Sequence, residues 1–300
     1  MKLNKTQVKN NALLQLHLSV LVAGGTGLFG RLVSLQEIPL VWYRLLFTTL
    51  LFIPILYFQK KLQFLPWKQG LKLMAVGAIL GIHWVFFYGS IQASNVSIGV
   101  ICMALLGMFT AIIDPIVNRH RFYVREFLLS SMSLLGLLLI FHLDTRYRLG
   151  IIIGVFAQLF AALFSVFSKK VISTEENLPT RSIVLYEMLG GFLCLSLILP
   201  AAVHFNPALP VLPQPIDWLY LIILALVCTI GQYLLQFEAL KHVSTFTMNL
   251  TYNLEPIYSI ILAMIIFNES RELNASFYIG LALIIISVII QNLIQRNKQS

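Results

Sequence analysis

Two stretches of this chain lie over one another as the halves of a diverged repeat. Residues 90–120 (SIQASNVSIGVICMALLGMFTAIIDPIVNRH) lie over residues 239–269 (ALKHVSTFTMNLTYNLEPIYSIILAMIIFNE) without a gap, at a constant offset of 149. Val41-Trp42-Tyr43-Arg44 likewise lies over Val184-Leu185-Tyr186-Glu187. If each copy holds an odd number of membrane spans, the second is threaded upside down relative to the first. That is the plan of a carrier whose site lies between the repeats at the midplane. The number of spans therefore decides the architecture.

Apolar runs cover 12–34, 39–58, 70–91, 95–117, 125–142, 149–171, 181–200, 216–237, 243–267 and 274–294, numbered helices 1 to 10. A span takes roughly 20 residues of helix, and the polar/apolar alternation of a membrane barrel is absent. Composition agrees: 58% of residues are hydrophobic, 11% are charged and the mean hydropathy is +0.85, whereas soluble domains carry ~25% charged residues. The expected fold is an all-α integral membrane protein of ten transmembrane helices in two inverted five-helix repeats. A tail at 1–11 precedes a first repeat at 12–142, and a second repeat at 149–294 precedes a tail at 295–300. The first run is longer than a signal-peptide core and lacks a small-residue cleavage pattern, so it is read as helix 1.

Cations set the orientation. Sixteen Lys and Arg fall on the face of the two tails and the 2/3, 4/5, 6/7 and 8/9 loops, while the other face has only Arg31, Arg146, Arg148 and Arg271. Both termini are expected in the cytoplasm, with the chain in a bacterial-type inner membrane. The net charge of +9 is scattered over short loops, which fits topology and anionic lipid and not a nucleic-acid surface. No phosphate-binding G-x-x-x-x-G-K-[ST] loop is present, so ATP-driven transport within this chain is excluded. No H-E-x-x-H occurs, and Asp114, Asp144 and Asp217 are isolated, so neither an intramembrane enzyme nor a metal or cofactor site is expected. Cys102, Cys194 and Cys228 show no paired spacing and read as packing residues.

Several local signatures then converge: a first helix ending GLFGRLV, Pro39 five residues before Arg44, the ALKHVS turn between helices 8 and 9, and Leu254-Glu255-Pro256 followed thirteen residues after the proline by Glu269. With the repeat, they make the chain resemble the EamA family of the drug/metabolite transporter superfamily over residues 12–294. The resemblance implies a ten-helix inner-membrane carrier of small metabolites, commonly an exporter of amino acids or related compounds. It also implies a central cavity lined mainly by helices 3, 4, 8 and 9, with 5 and 10 peripheral. The first repeat departs from the pattern, with Leu105-Leu106-Gly107 and His120 where the second has Leu254-Glu255-Pro256 and Glu269. The site need not be symmetric.

Depth ranks the candidates. Glu255 lies about twelve residues into helix 9, ~18 Å along its axis, close to the middle of a ~30 Å core. A carboxylate there marks function by default, although an interhelical hydrogen bond beside a Pro256 kink is the open alternative. Pro256 cannot donate to the ladder and loosens the preceding turn. Asn249, Tyr252, Asn253 and Pro256 form one stripe at helical spacing, and its counterpart on helix 4 is apolar and small: Val100, Met103, Ala104 and Gly107. The stripe is either cavity lining or interhelical glue. His83, Trp84 and Phe87 on helix 3 and Gln232, Tyr233 and Gln236 on helix 8 supply polar groups and aromatic walls suited to a small-molecule pocket; interfacial aromatic belts are the alternative.

Arg44 and Glu187 are embedded charges at equivalent repeat positions, separated along the membrane normal by roughly 12 Å, too far for a direct pair. Arg44 is held by an acid or by carbonyls, or else grips a carboxylate solute. Asp114 and Glu238, near the cytoplasmic ends of their helices, are expected to pair with Arg119 and Lys241 or to be solvated by headgroup water. Gly77-x-x-x-Gly81 and Gly150-x-x-x-Gly154 permit close helix approach. The partners expected are the bilayer and a small amino-acid-like or amphiphilic solute, with protons a further candidate. Export follows from the resemblance alone; uptake and a non-transporting receptor or scaffold role stay open, as does the oligomeric state.

Overall fold

A computed structural model describes residues 5–119, 121–124, 127, 128, 130, 131, 134–136, 138, 145–175, 178–244, 248, 251, 252, 254–271 and 273–297. Among the described residues, seven helices are long and apolar enough to cross a membrane: Asn10–Leu32, Glu37–Phe58, Trp67–Gln92, Val96–Asn118, Thr145–Thr174, Thr180–Phe205 and Pro215–Leu240. They are helices 1 to 4 and 6 to 8. Helix 9 contributes the shorter apolar segment Glu255–Phe267, and helix 10 runs over Ala275–Asn297. The described residues of helix 5 are helical; its remainder, together with residues 1–4 and 298–300 of the proposed tails, His120, Asn249 and Asn253, lies outside the described residues.

Local chemistry explains where the helices start. Asn95 is the N-cap of helix 4, its side-chain oxygen accepting from the Ile98 amide at 2.9 Å, which satisfies one of the four orphan donors of a helix start. Helix 8 opens with Pro215 in its first turn and reciprocal side-chain bonds between Gln214 and Asp217. Buried Asp217 also accepts from the Ser34 amide and hydroxyl, fastening helix 8 to the 1/2 connection. Large apolar side chains such as Leu21, Leu50, Leu197 and Ile265 stay exposed on the outside, where lipid is their solvent.

The helix pairs obey the repeat. Helix 3 packs on helix 6 as helix 8 packs on helix 1, helix 3 on helix 7 as helix 8 on helix 2, and helix 4 on helix 6 as helix 9 on helix 1; the 2/7 and 4/9 pairs map onto themselves. A two-fold exchange of the halves requires this set.

The expected glycine contacts are present. A Cβ on Gly77 would fall 1.8 Å from the Glu187 carbonyl oxygen, and one on Gly190 would fall 2.0 Å from the Met74 carbonyl oxygen. Helices 3 and 7 therefore touch backbone to backbone, which only small residues permit. Gly150 and Gly154 make room for the side chains of Ser94, Cys102 and Ser90.

Candidate functional site

The α-helical pattern of helices 4 and 9 is interrupted at equivalent residues. Helix 4 tightens into a 3-10 turn over Cys102–Leu105 and resumes as Leu106–Asn118; the second segment of helix 9 starts at Glu255, 149 residues after Leu106, and ends at Phe267. Both segments close on left-handed residues at the same offset, Arg119 (φ 53°) and Asn268 (φ 59°). The sequence assigns the break in helix 9 to Pro256, but helix 4 breaks at the same place with Gly107 there. The interruption thus belongs to the packing of the repeat and not to proline alone.

Between these breaks lies a cavity, part of it open to solvent. Five pairs of its lining residues are related by the offset of 149: His83 and Gln232, Trp84 and Tyr233, Phe87 and Gln236, Met103 and Tyr252, Leu106 and Glu255. The cavity therefore straddles the pseudo-two-fold. Its halves differ chemically, because the second repeat supplies two amides, two phenols and an acid where the first supplies aromatic and aliphatic groups and one imidazole.

The polar half is partly tied together. Gln232 Nε2 donates to Gln236 Oε1 at 2.9 Å and to the Tyr252 hydroxyl, which in turn donates to Gln236 Oε1 at 3.0 Å and lies 2.9 Å from Ser19 Oγ on helix 1. His83 Nδ1 lies 2.8 Å from the Ala157 carbonyl oxygen on helix 6. A carbonyl only accepts, so Nδ1 carries the proton, and Nε2 is the acceptor of the neutral ring.

Arg44 is 1% exposed and lines the cavity. Helix 8 opens into a wider, π-type turn over Leu226–Gly231, of a kind frequent at functional sites. Arg44 fills it: Nη2 donates to the Cys228 carbonyl at 3.0 Å, Nε to Thr229 Oγ1 at 2.9 Å and Nη1 to the Tyr88 hydroxyl at 3.0 Å. The Trp84 ring stacks against the guanidinium, 3.6 Å from centroid to Cζ, adding a cation–π attraction. Carbonyl, hydroxyls and ring hold the cation, and among the described residues no acid touches it.

Two polar groups on the wall are unanswered. Glu255 is 6% exposed, and among the described residues none hydrogen-bonds or ion-pairs with its carboxylate; Arg44 acts on it only through space. Gln158, 1% exposed, has no partner for Nε2 among the described residues. Buried polar groups are nearly always paired, so these two have capacity left for a ligand, alongside His83 Nε2 and the guanidinium N–H donors of Arg44 beyond the three bonds above.

Of the residues expected from sequence, His83, Trp84, Phe87, Met103, Gln232, Tyr233, Gln236, Tyr252, Glu255 and Arg44 line the cavity. Gly107 and Pro256 do not; both are buried beside Leu106 and Glu255, which do. Glu187 is buried elsewhere, bonded to Ser168 on helix 6. The sequence missed the contribution of helices 1 and 6, which add Thr26, Gln158 and Ser165 among others. The available signal was two polar residues, Gln158 and Ser165, two turns apart, with Gln158 set in the apolar stretch of helix 6. At the rim, Glu238 pairs with Lys241 at 3.3 Å as expected and also accepts from the Thr180 hydroxyl, while Asp114 accepts from Asn118.

A family model described as the EamA-like transporter family matches residues 10–142 and 148–293. An uncharacterized transporter of Bacillus subtilis (strain 168), YxxF, is 26% identical over 262 residues, covering 85% of this chain and 81% of that protein. A crystal structure of a protein 14% identical in sequence superposes with a TM-score of 0.69 over 95% of this chain and 98% of that one, a likeness of fold.

Proposed function

The chain belongs to the EamA-like transporter family, a multi-pass membrane transporter of ten helices in two inverted repeats, and on that premise we propose that it is a secondary carrier exporting a small amphiphilic, amino-acid-like solute across the inner membrane. The observation that carries this reading is the cavity on the pseudo-two-fold, with Arg44 and Glu255, the latter without a partner among the described residues, both on its wall. A solute bearing an anionic and a cationic group meets one complementary charge of each sign, and its apolar part lies along Trp84, Phe87, Met103 and Leu106. Gln158 Nε2 offers a further donor. Polar orienting groups in a mainly apolar wall are what small-molecule sites use.

Alternating access follows from the repeat: rocking one half against the other around a fixed midplane site exchanges the side to which the cavity opens. Several fixed cations, which a polyphosphorylated solute requires, are absent from the described lining, where Arg44 alone is fully charged and positive.

The direct test compares metabolites inside and outside cells with and without the protein, then measures flux of the compound that changes in proteoliposomes. Accumulation of one zwitterionic compound inside the deficient cells, and its flux in vesicles, is expected. Specific thermal stabilisation by a nucleotide sugar, with no response to zwitterions, overturns the reading.

A further inference from the structure

Among the described residues, Glu187 is the one acid deep in the helix bundle that the cavity does not use. It sits on helix 7 at 0% exposure, at the level where that helix meets the backbone of Gly77. Its Oε1 accepts from Ser168 Oγ at 2.9 Å, and its Oε2 has no partner among the described residues.

The charged and titratable groups around it are occupied elsewhere. On helix 2, Arg44 bonds Tyr88, Thr229 and the Cys228 carbonyl. On helix 6, Lys169 donates to the Leu240 and Val243 carbonyls. On helix 3, Lys72 pairs with Glu175 and His83 bonds the Ala157 carbonyl. On helix 8, Glu238 and Lys241 pair with each other, and Tyr233 acts on Glu187 only through space. On helix 7 itself, the Tyr186 hydroxyl accepts from the Leu65 amide. Among the described residues no cation contacts Glu187. An ionised carboxylate with one hydroxyl donor and no counter-ion is the arrangement that buried sites avoid; a neutral carboxyl leaves only an ordinary polar atom unsatisfied.

We propose that Glu187 is a proton-binding site separate from the solute cavity, holding a proton in the conformation seen here and exchanging it with water when helices 3 and 7 part. The exchange rests on the carrier reading, since rocking of the repeats is what would part those helices; the bound proton does not. The first repeat places Arg44 at this register, so the halves carry opposite chemistry and the proton site exists once.

Infrared spectroscopy of the purified protein in lipid reads the proton directly. The carbonyl stretch of a protonated carboxylic acid is expected in the wild type and in Glu255→Gln, and a component of it should vanish in Glu187→Gln. Ser168→Ala removes the hydrogen bond to the carbonyl oxygen, so that component should move to higher wavenumber; this variant carries the test if Glu187→Gln does not fold. Transfer to deuterium oxide should shift the component downward as the proton exchanges. A spectrum unchanged by both Glu187→Gln and Ser168→Ala overturns the proton, and a component that never shifts in deuterium oxide overturns the exchange. Neither reading uses flux, so their failure is distinguishable from failure of the carrier proposal.

Discussion

Glu255 and Leu106 occupy the same register of the two repeats and face one cavity, so the asymmetry of the site comes down to single side chains. Glu255→Gln keeps the volume and a hydrogen-bonding end but removes the charge. Hydrogen bonds to charged groups contribute about 1.5–3 kcal/mol, so solute flux through this variant should fall about 10- to 100-fold and lose its pH response between acidic and alkaline buffers, with the melting temperature little changed. Wild-type flux with an unchanged pH profile would return Glu255 to the role of interhelical contact. Arg44→Lys tests the opposite wall. A lysine cannot reproduce three directed donors and a planar face against Trp84, so solute affinity should drop even though the positive charge remains, as a thermal-shift titration would register.

At the scale of elements, the decisive contact is the crossing of helices 3 and 7. Gly77→Ala would place a methyl carbon 1.8 Å from the Glu187 carbonyl oxygen, and overpacking of this kind costs about 1–3 kcal/mol. Gly89, on the same helix, has nothing nearer than 3.6 Å to such a carbon, and alanine there gains up to ~1 kcal/mol of helix propensity. Melting temperatures in lipid should therefore fall for Gly77→Ala and stay level or rise for Gly89→Ala; equal responses would show that the 3/7 crossing is looser than described. Two further ties span the repeats at opposite ends. Glu269, fully buried, accepts from the Val96 and Ser97 amides at the start of helix 4 and pairs with Arg31 at 3.0 Å, a carboxylate at a helix N-terminus where the macrodipole favours it. At the other end Glu175, between helices 6 and 7, accepts from Lys72 and Gln69, and these two hydrogen bonds hold its carboxyl below the usual range.

Over the whole molecule, the helix contacts relate the two halves by exchange, and five spans in each half turn one upside down relative to the other. With the proposed cytoplasmic termini, reporters fused after residues 93, 145, 208 and 270 should all read as periplasmic. Residue 145 is the discriminating position, because it joins the repeats; a cytoplasmic reading there would abolish the inversion.

Much of this was legible in the chain itself. The apolar runs fix an all-helical membrane protein because a bilayer leaves backbone groups no other partner than their own helix, and the constant offset fixes the repeat. The resemblance to the EamA family pointed to a wall formed by helices 3, 4, 8 and 9, and depth along the helix singled out Glu255 within it. Helices 1 and 6, the π-type turn that gives Arg44 a carbonyl, the unanswered Gln158 amide and the solitary burial of Glu187 were decided only by the tertiary structure. Each depends on which distant segment comes to rest beside a residue, and no local pattern of side chains encodes that meeting.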